Sequence, residues 1–137
     1  MEVDGRVVSS IGQGMAVLVG FHKDDAEKDM DYIAGKILQL RIFPDDKDAM
    51  NLSLGDINGE LLVISQFTLY GDARRGRRPS FSDAMRPDRA IQFYNNFINI
   101  CKSVYPKVES GVFGAMMDIN MVNSGPVTIL LDSSRTF

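Results

Sequence analysis

Met15-Ala16-Val17-Leu18-Val19-Gly20-Phe21, followed after a short polar step by Ala26, Met30, Ile33, Ile37 and Leu40, is where the periodicity of this chain changes. An unbroken apolar run reads as a strand covered on both faces, whereas apolar residues three and four apart make one face of a helix. Asp24 with Glu27 three residues on resembles a capping box opening that helix, and Pro44-Asp45-Asp46 closes the stretch. Upstream, Glu2 to Ile11 reads as a hairpin turned at Asp4-Gly5. Downstream, Leu61 to Leu69 returns to strand composition, and a second helix starts near Pro87, with Asp88 in its first turn. Its apolar stripe is Ala90, Phe93, Phe97, Cys101 and Val104, which makes Cys101 a core residue. Met117, Ile119 and Met121 alternate with Asp118 and Asn120 as in a half-buried strand, and Val127 to Leu131 reads as another. The order of elements does not repeat strand-helix-strand. It predicts one α+β domain, a curved, mainly antiparallel sheet or partial β-barrel carrying two helices.

Composition narrows the chemistry. A chain of 137 residues that is 45% hydrophobic is large enough for a core without disulfides. One cysteine excludes a disulfide framework, and one histidine, His22, excludes the His-rich metal clusters, so no metal site is expected. A Ser-His-Asp triad would have to use His22, which stands at a strand end before an acidic helix start and suits a capping role. There is no nucleophile elbow and no phosphate-binding loop, and Gly12-Gln13-Gly14 precedes a strand, where a dinucleotide fingerprint must follow one. No apolar run approaches the ~18 residues of a membrane span, and the first residues do not read as a signal peptide. A cytoplasmic protein without membrane contact is expected.

The net charge is −3, yet residues 74 to 89 hold six arginines against two acids. An acidic body with one arginine-rich segment suits forked contacts to phosphate oxygens at a single surface; a solvated charged loop is the alternative. Two further segments go beyond strand propensity. In Ser65-Gln66-Phe67-Thr68-Leu69, three hydrogen-bonding side chains interrupt the end of an apolar strand, where either a ligand or a neighbouring strand could satisfy them. In Asn123-Ser124-Gly125-Pro126-Val127-Thr128, the Gly-Pro pair either presents rigid backbone to a ligand or makes an ordinary turn.

Those two segments, together with Arg77-Arg78-Pro79-Ser80-Phe81-Ser82, Pro87-Asp88-Arg89-Ala90 and Gly111-Val112-Phe113-Gly114-Ala115-Met116, resemble in order the motifs of the D-aminoacyl-tRNA deacylases. The resemblance implies an enzyme that hydrolyses the ester joining a D-amino acid, or glycine, to the 3′ end of tRNA and spares L-aminoacyl-tRNA. It implies no cofactor. It further implies a homodimer in which Gly125-Pro126 of one chain, as a cis pair, completes the partner's site and reads chirality through its carbonyl oxygens. Ser65, Gln66, Phe67 and Thr68 would line the catalytic pocket, with Asn123, Phe113 and Met117 beside the chiral gate. Arg74, Arg75, Arg77 and Arg78 would grip the tRNA acceptor end. Thr68 is the natural nucleophile candidate, but the family also supports assistance by the terminal ribose hydroxyl. A threonine needs a neighbouring base, and the sequence offers Thr68 no obvious histidine partner. In one respect the chain departs from the pattern: residues 1–137 read as a single deacylase domain lacking the family's first N-terminal strand, with an exposed sheet edge as the expected result. The rival readings are a non-catalytic nucleic-acid-binding protein of the same fold and a small-ester hydrolase with no RNA requirement.

Overall fold

A computed structural model describes residues 1–137. In chain order the elements are β1 (Glu2–Val3), β2 (Arg6–Val7), β3 (Gly14–Val19), α1 (Glu27–Gln39), β4 (Phe43–Pro44), β5 (Met50–Leu52), β6 (Glu60–Ser65), a 3-10 turn (Phe67–Tyr70), α2 (Pro87–Val104), β7 (Val108–Ser110) and β8 (Met117–Asp118). The two helices and the α+β class are as expected, and the sheets do not close into a barrel. The antiparallel pairings are β2-β1-β8 and β4-β5, whereas β3, β6 and β7 form a parallel sheet in that order. Parallel neighbours need long crossovers, and α1 and α2 supply them. The helix-free hairpins β1-β2 and β4-β5, lying before and within these units, hide the strand-helix-strand repeat from a linear reading.

Both crossovers step in the same direction across the sheet, so one handedness puts both helices on one face. Alternate side chains of β6 then enter two different cores. Leu61 and Val63 join Met30, Ala34, Ile37, Tyr94, Phe97 and Cys101 beneath the helices, while Leu62 and Ile64 meet Met1, Ile11 and Met117 on the opposite face. Cys101 is fully buried, and burial pushes its thiol up to about 11, which fits the core role.

Several sequence expectations need correction. Val104 ends the α2 stripe in solvent, 65% exposed, and the strand read from Met117 to Met121 stops at Asp118, with Met121 64% exposed. The strand β3 is not covered on both faces: Met15, Val17 and Val19 pack inward, but Leu18 is 46% exposed, because β3 is an edge of its sheet. The N-cap of α1 is Ala26, whose N–H donates to the Asp29 carboxylate at 2.8 Å, so the capping acid lies two residues beyond the expected Glu27. Val127 to Leu131 is not a strand. No backbone hydrogen bond outside the regular elements falls between residues 116 and 131, since nothing in the chain lies alongside to pair with it.

Candidate active site

The ladder of β6 runs one residue past the strand, the Gln66 N–H donating to the Val19 carbonyl at 2.7 Å. There the backbone tightens into the 3-10 turn, which brings Phe67, Thr68 and Leu69 to the surface at the carboxyl end of the parallel sheet. Gln66 Nε2 donates to Thr68 Oγ1 at 2.5 Å, so two of the three polar side chains satisfy each other while staying open to solvent. Ser65, half-buried, ends the strand. Tyr70 closes the turn edge-on to His22, with ring centroids 5.4 Å apart. Burial, reinforced by the carboxylates of Asp25, Asp132 and Asp29, pushes the Tyr70 phenol up to about 12. His22 Nδ1 accepts the Asp24 N–H at 3.1 Å, the local capping role its position suggests.

Beyond Tyr70 the arginine segment forms a strapped arm. Asp72 and Ser80 exchange two backbone hydrogen bonds, at 2.7 and 2.9 Å, and the chain between them folds out to Gly76. The Asp72 carboxylate accepts from the Arg74 backbone N–H at 3.0 Å and from its guanidinium at 2.9 and 2.7 Å. This fork holds the Asp72 carboxyl down at about 2. Arg74 is therefore occupied in bracing the arm. Arg75, Arg77 and Arg78 are exposed and enter no ion pair, and Arg75 also borders an open hollow of about 470 Å³ with Asp72, Arg74 and Ser80. Farther along, Lys23 pairs with Asp83 at 2.8 Å. Arg89 donates to the carbonyls of Lys23 and Asp25 and lies 4.8 Å above the Phe93 ring, which makes it a clamp between α2 and the end of β3.

The Gly125–Pro126 peptide is cis. Gly125 has φ +120°, a conformation side-chain-bearing residues rarely adopt. Asn123 holds this loop from both sides: Oδ1 accepts the Val127 N–H at 3.3 Å and Nδ2 donates to Thr128 Oγ1 at 3.1 Å. Those bonds are internal to the loop, and none joins it to Ser65, Gln66, Phe67 or Thr68 of the same chain. Phe113 and Met117 lie on opposite sides of the central sheet. Phe113 packs 5.9 Å from the Tyr94 ring beneath the helices, and Met117 packs with Met1 on the other face.

Three contributors to this region were not visible as such in the sequence: Asp72, Phe81 and Tyr94. Phe81 meets the Phe67 ring edge-to-face at 5.2 Å. Tyr94 donates its buried hydroxyl to the Val63 carbonyl at 2.8 Å and accepts the Gly111 N–H at 3.0 Å. The signal for Asp72 was its place two residues before Arg74, and for Phe81 its place directly after the arm.

A small α+β domain with a polar turn at the carboxyl end of a parallel strand, a braced arginine arm and a cis Gly-Pro loop is the arrangement that comparison with known proteins must match. The family model for D-Tyr-tRNA(Tyr) deacylase matches residues 1–132, and the chain belongs to that family. It is 56% identical over 137 residues to the D-aminoacyl-tRNA deacylase of Thermosipho africanus and 53% identical to that of Clostridium acetobutylicum, covering 100% of this chain and 92% of each relative. Among solved structures, the c-Myc DNA unwinding element binding protein superposes with a TM-score of 0.89 at 37% identity, over 93% of this chain and 87% of that one. A probable eukaryotic D-amino acid tRNA deacylase shares the fold, with a TM-score of 0.63 at 20% identity over 78% of this chain and 80% of that one.

Proposed function

We propose that this protein hydrolyses the ester between a D-amino acid and the 3′ end of tRNA and leaves L-aminoacyl-tRNA intact, with glycine as a further acyl group it can remove. The observation that carries this reading is the junction of the polar Ser65–Thr68 turn with an arm bearing three unpaired arginines, in a chain of the deacylase family. The turn suits the ester and the arm suits the phosphates next to it. The acceptor of the Gln66 amide is the Thr68 hydroxyl, and an amide cannot take a proton from it, so nothing next to Thr68 makes it a nucleophile. An aminoacyl ester is already activated. Orientation by Ser65, Gln66, Phe67 and Thr68, with backbone amides facing the developing oxyanion and the terminal ribose hydroxyl assisting attack, is sufficient chemistry.

In this reading the enzyme is a cytoplasmic homodimer, and Gly125 and Pro126 of one subunit, held by Asn123, enter the partner's pocket. Their carbonyl oxygens leave no room for an L side chain, a rejection by shape. Phe113 supports the gate from the helix side of the sheet and Met117 from the other. Two features favour a second subunit: the loop is unpartnered in its own chain, and the apolar side chains around it are bare, with Val122 92% and Leu130 67% exposed.

The likeness to a DNA unwinding element binding protein supports a second reading, nucleic-acid binding through the same arm without turnover. One experiment separates the two. Catalytic amounts of protein are incubated with matched D- and L-aminoacyl-tRNA and with a free D-aminoacyl ester. Multiple turnovers of the D-tRNA alone support the deacylase, binding without turnover supports the second reading, and equal loss of the free ester reveals a hydrolase with no RNA requirement.

A further inference from the structure

The polar turn rests on Gly20, the residue that follows β3. A Cβ at this position would lie 2.9 Å from the Gln66 carbonyl oxygen, 3.2 Å from Leu69 Cβ and 3.3 Å from Tyr70 Cδ2, so three residues of the turn region close on the bare Cα. Gly20 is not among the residues with positive φ. Its backbone conformation is open to any residue, and what requires glycine here is the space.

Of the two surfaces that meet there, the glycine side is the stiffer. Val19 and Phe21, its neighbours in the chain, are buried. The Val19 carbonyl accepts the Gln66 N–H at 2.7 Å, the Phe21 carbonyl accepts the Met85 N–H at 2.9 Å, and the Lys23 N–H donates to the Asp83 carbonyl at 2.9 Å, so the segment is pinned from both sides. The turn is softer: none of its four residues is buried, and Phe67 and Leu69 are 56% and 53% exposed. Bulk added at position 20 must therefore move the turn and not the strand end. The N–H groups of Phe67 and Thr68 head the turn and donate to no acceptor in the chain, which leaves them free to meet a developing oxyanion. We propose that Gly20 is a positioning residue for the ester hydrolysis, a seat without a side chain that fixes the height of the Ser65–Thr68 turn and with it the aim of these two amides. The assignment rests on the deacylase reading and adds to it a residue that acts through the turn alone.

Gly20→Ala places one methyl group under the turn, which must rise by about half an ångström to restore ordinary contact with the Gln66 carbonyl. With D-aminoacyl-tRNA, kcat is expected to fall about 10- to 100-fold, the effect of misdirected groups at the reacting centre. KM should change far less, because the arginine arm is held by its own Asp72–Ser80 strap. The loss should also exceed that of Thr68→Ala, which removes a hydroxyl and leaves both amides in place. Ile37→Val, a truncation in the core beneath the helices, separates position from stability: it weakens packing and should keep the parent kcat. In 15N-labelled protein the Phe67 and Thr68 amide resonances should move in Gly20→Ala while those of β7 stay. Tyr70→Leu takes the ring off the same seat without adding bulk, and tests the seat if Gly20→Ala does not fold; it should move the same two resonances and lower kcat in the same direction. An unchanged kcat in the folded variant, an equal fall in Ile37→Val, or turn resonances that do not move would each overturn the assignment. Turn resonances that move in a protein whose parent releases no D-amino acid would refute the deacylase and leave the seat beneath the turn standing; turnover by the parent with a turn that neither variant displaces would do the reverse.

Discussion

Thr68 is the residue that looks most like a nucleophile and is the least equipped to be one. Its hydroxyl faces an amide donor rather than a base, and the one histidine is engaged with the Asp24 N–H and the Tyr70 ring. Thr68→Ala should therefore keep deacylation of D-aminoacyl-tRNA within about tenfold of the parent, a loss of position rather than of chemistry. A fall of several orders of magnitude in single-turnover rate, in a variant with an unchanged circular dichroism spectrum, would restore Thr68 to the covalent step. Asp72 makes a different kind of claim. Its carboxyl is held at about 2, below its ordinary 3.8, chiefly by the Arg74 guanidinium and then by the Arg74 backbone N–H. A depressed acid pKa contributes above its unfolded value and is lost as the pH falls through the folded one. The Arg74 side-chain Nε–H resonance should thus stay sharp and shifted down to about pH 3 and be half lost near pH 2. Collapse at higher pH would mean that the arm is not braced by this pair.

At the scale of elements, β6 is the member everything else is built on, because it alone is covered on both faces and paired on both edges. Its outer partner β7 is short, and the Tyr94 hydroxyl closes the gap between them by bonding both Val63 and Gly111. Gly111 N–H also reaches the Val63 carbonyl directly at 3.0 Å, so removing the hydroxyl leaves that donor satisfied. Tyr94→Phe should consequently cost about 1 kcal/mol in urea unfolding, the worth of one ordinary hydrogen bond, rather than the larger penalty of an orphaned buried group. A cost above about 3 kcal/mol would show that the hydroxyl orders the whole 111–114 segment. Helix positions were legible from sequence because amphipathic periodicity is local. Strand pairing was not: β3, β6 and β7 are parallel only because two helices carry the chain back each time, and pairing partners lie tens of residues apart.

Taken whole, the molecule is an acidic body with one cationic arm and one apolar, unpaired tail. If the arm grips phosphates, replacing Arg75, Arg77 and Arg78 with Gln should raise KM for D-aminoacyl-tRNA and reduce the slope of log affinity against log salt by about 2, since each single-strand phosphate contact contributes about 0.7. Arg89→Gln, which cuts an internal clamp, should lower thermal stability and leave that slope unchanged. If the tail is a subunit contact, Val122→Asp should shift sedimentation from dimer to monomer and abolish turnover while the helical spectrum persists. A monomeric parent that is fully active would refute the shared site.

Residue types and their order were enough to reveal two helices, the core stripe of α2 except for its last member Val104, the polar turn, the arginine segment and the Gly-Pro loop, since each is written in neighbouring residues. Only the folded chain decided which arginines are free: Asp72 claims Arg74, and Lys23 with Asp25 claims Arg89, through contacts no spacing rule exposes. Folding likewise brought Phe81 to Phe67 and left residues 127–131 without a strand to pair with. Local order follows from side-chain chemistry along the chain, whereas occupancy of a charge or a strand edge depends on what the tertiary structure happens to place beside it.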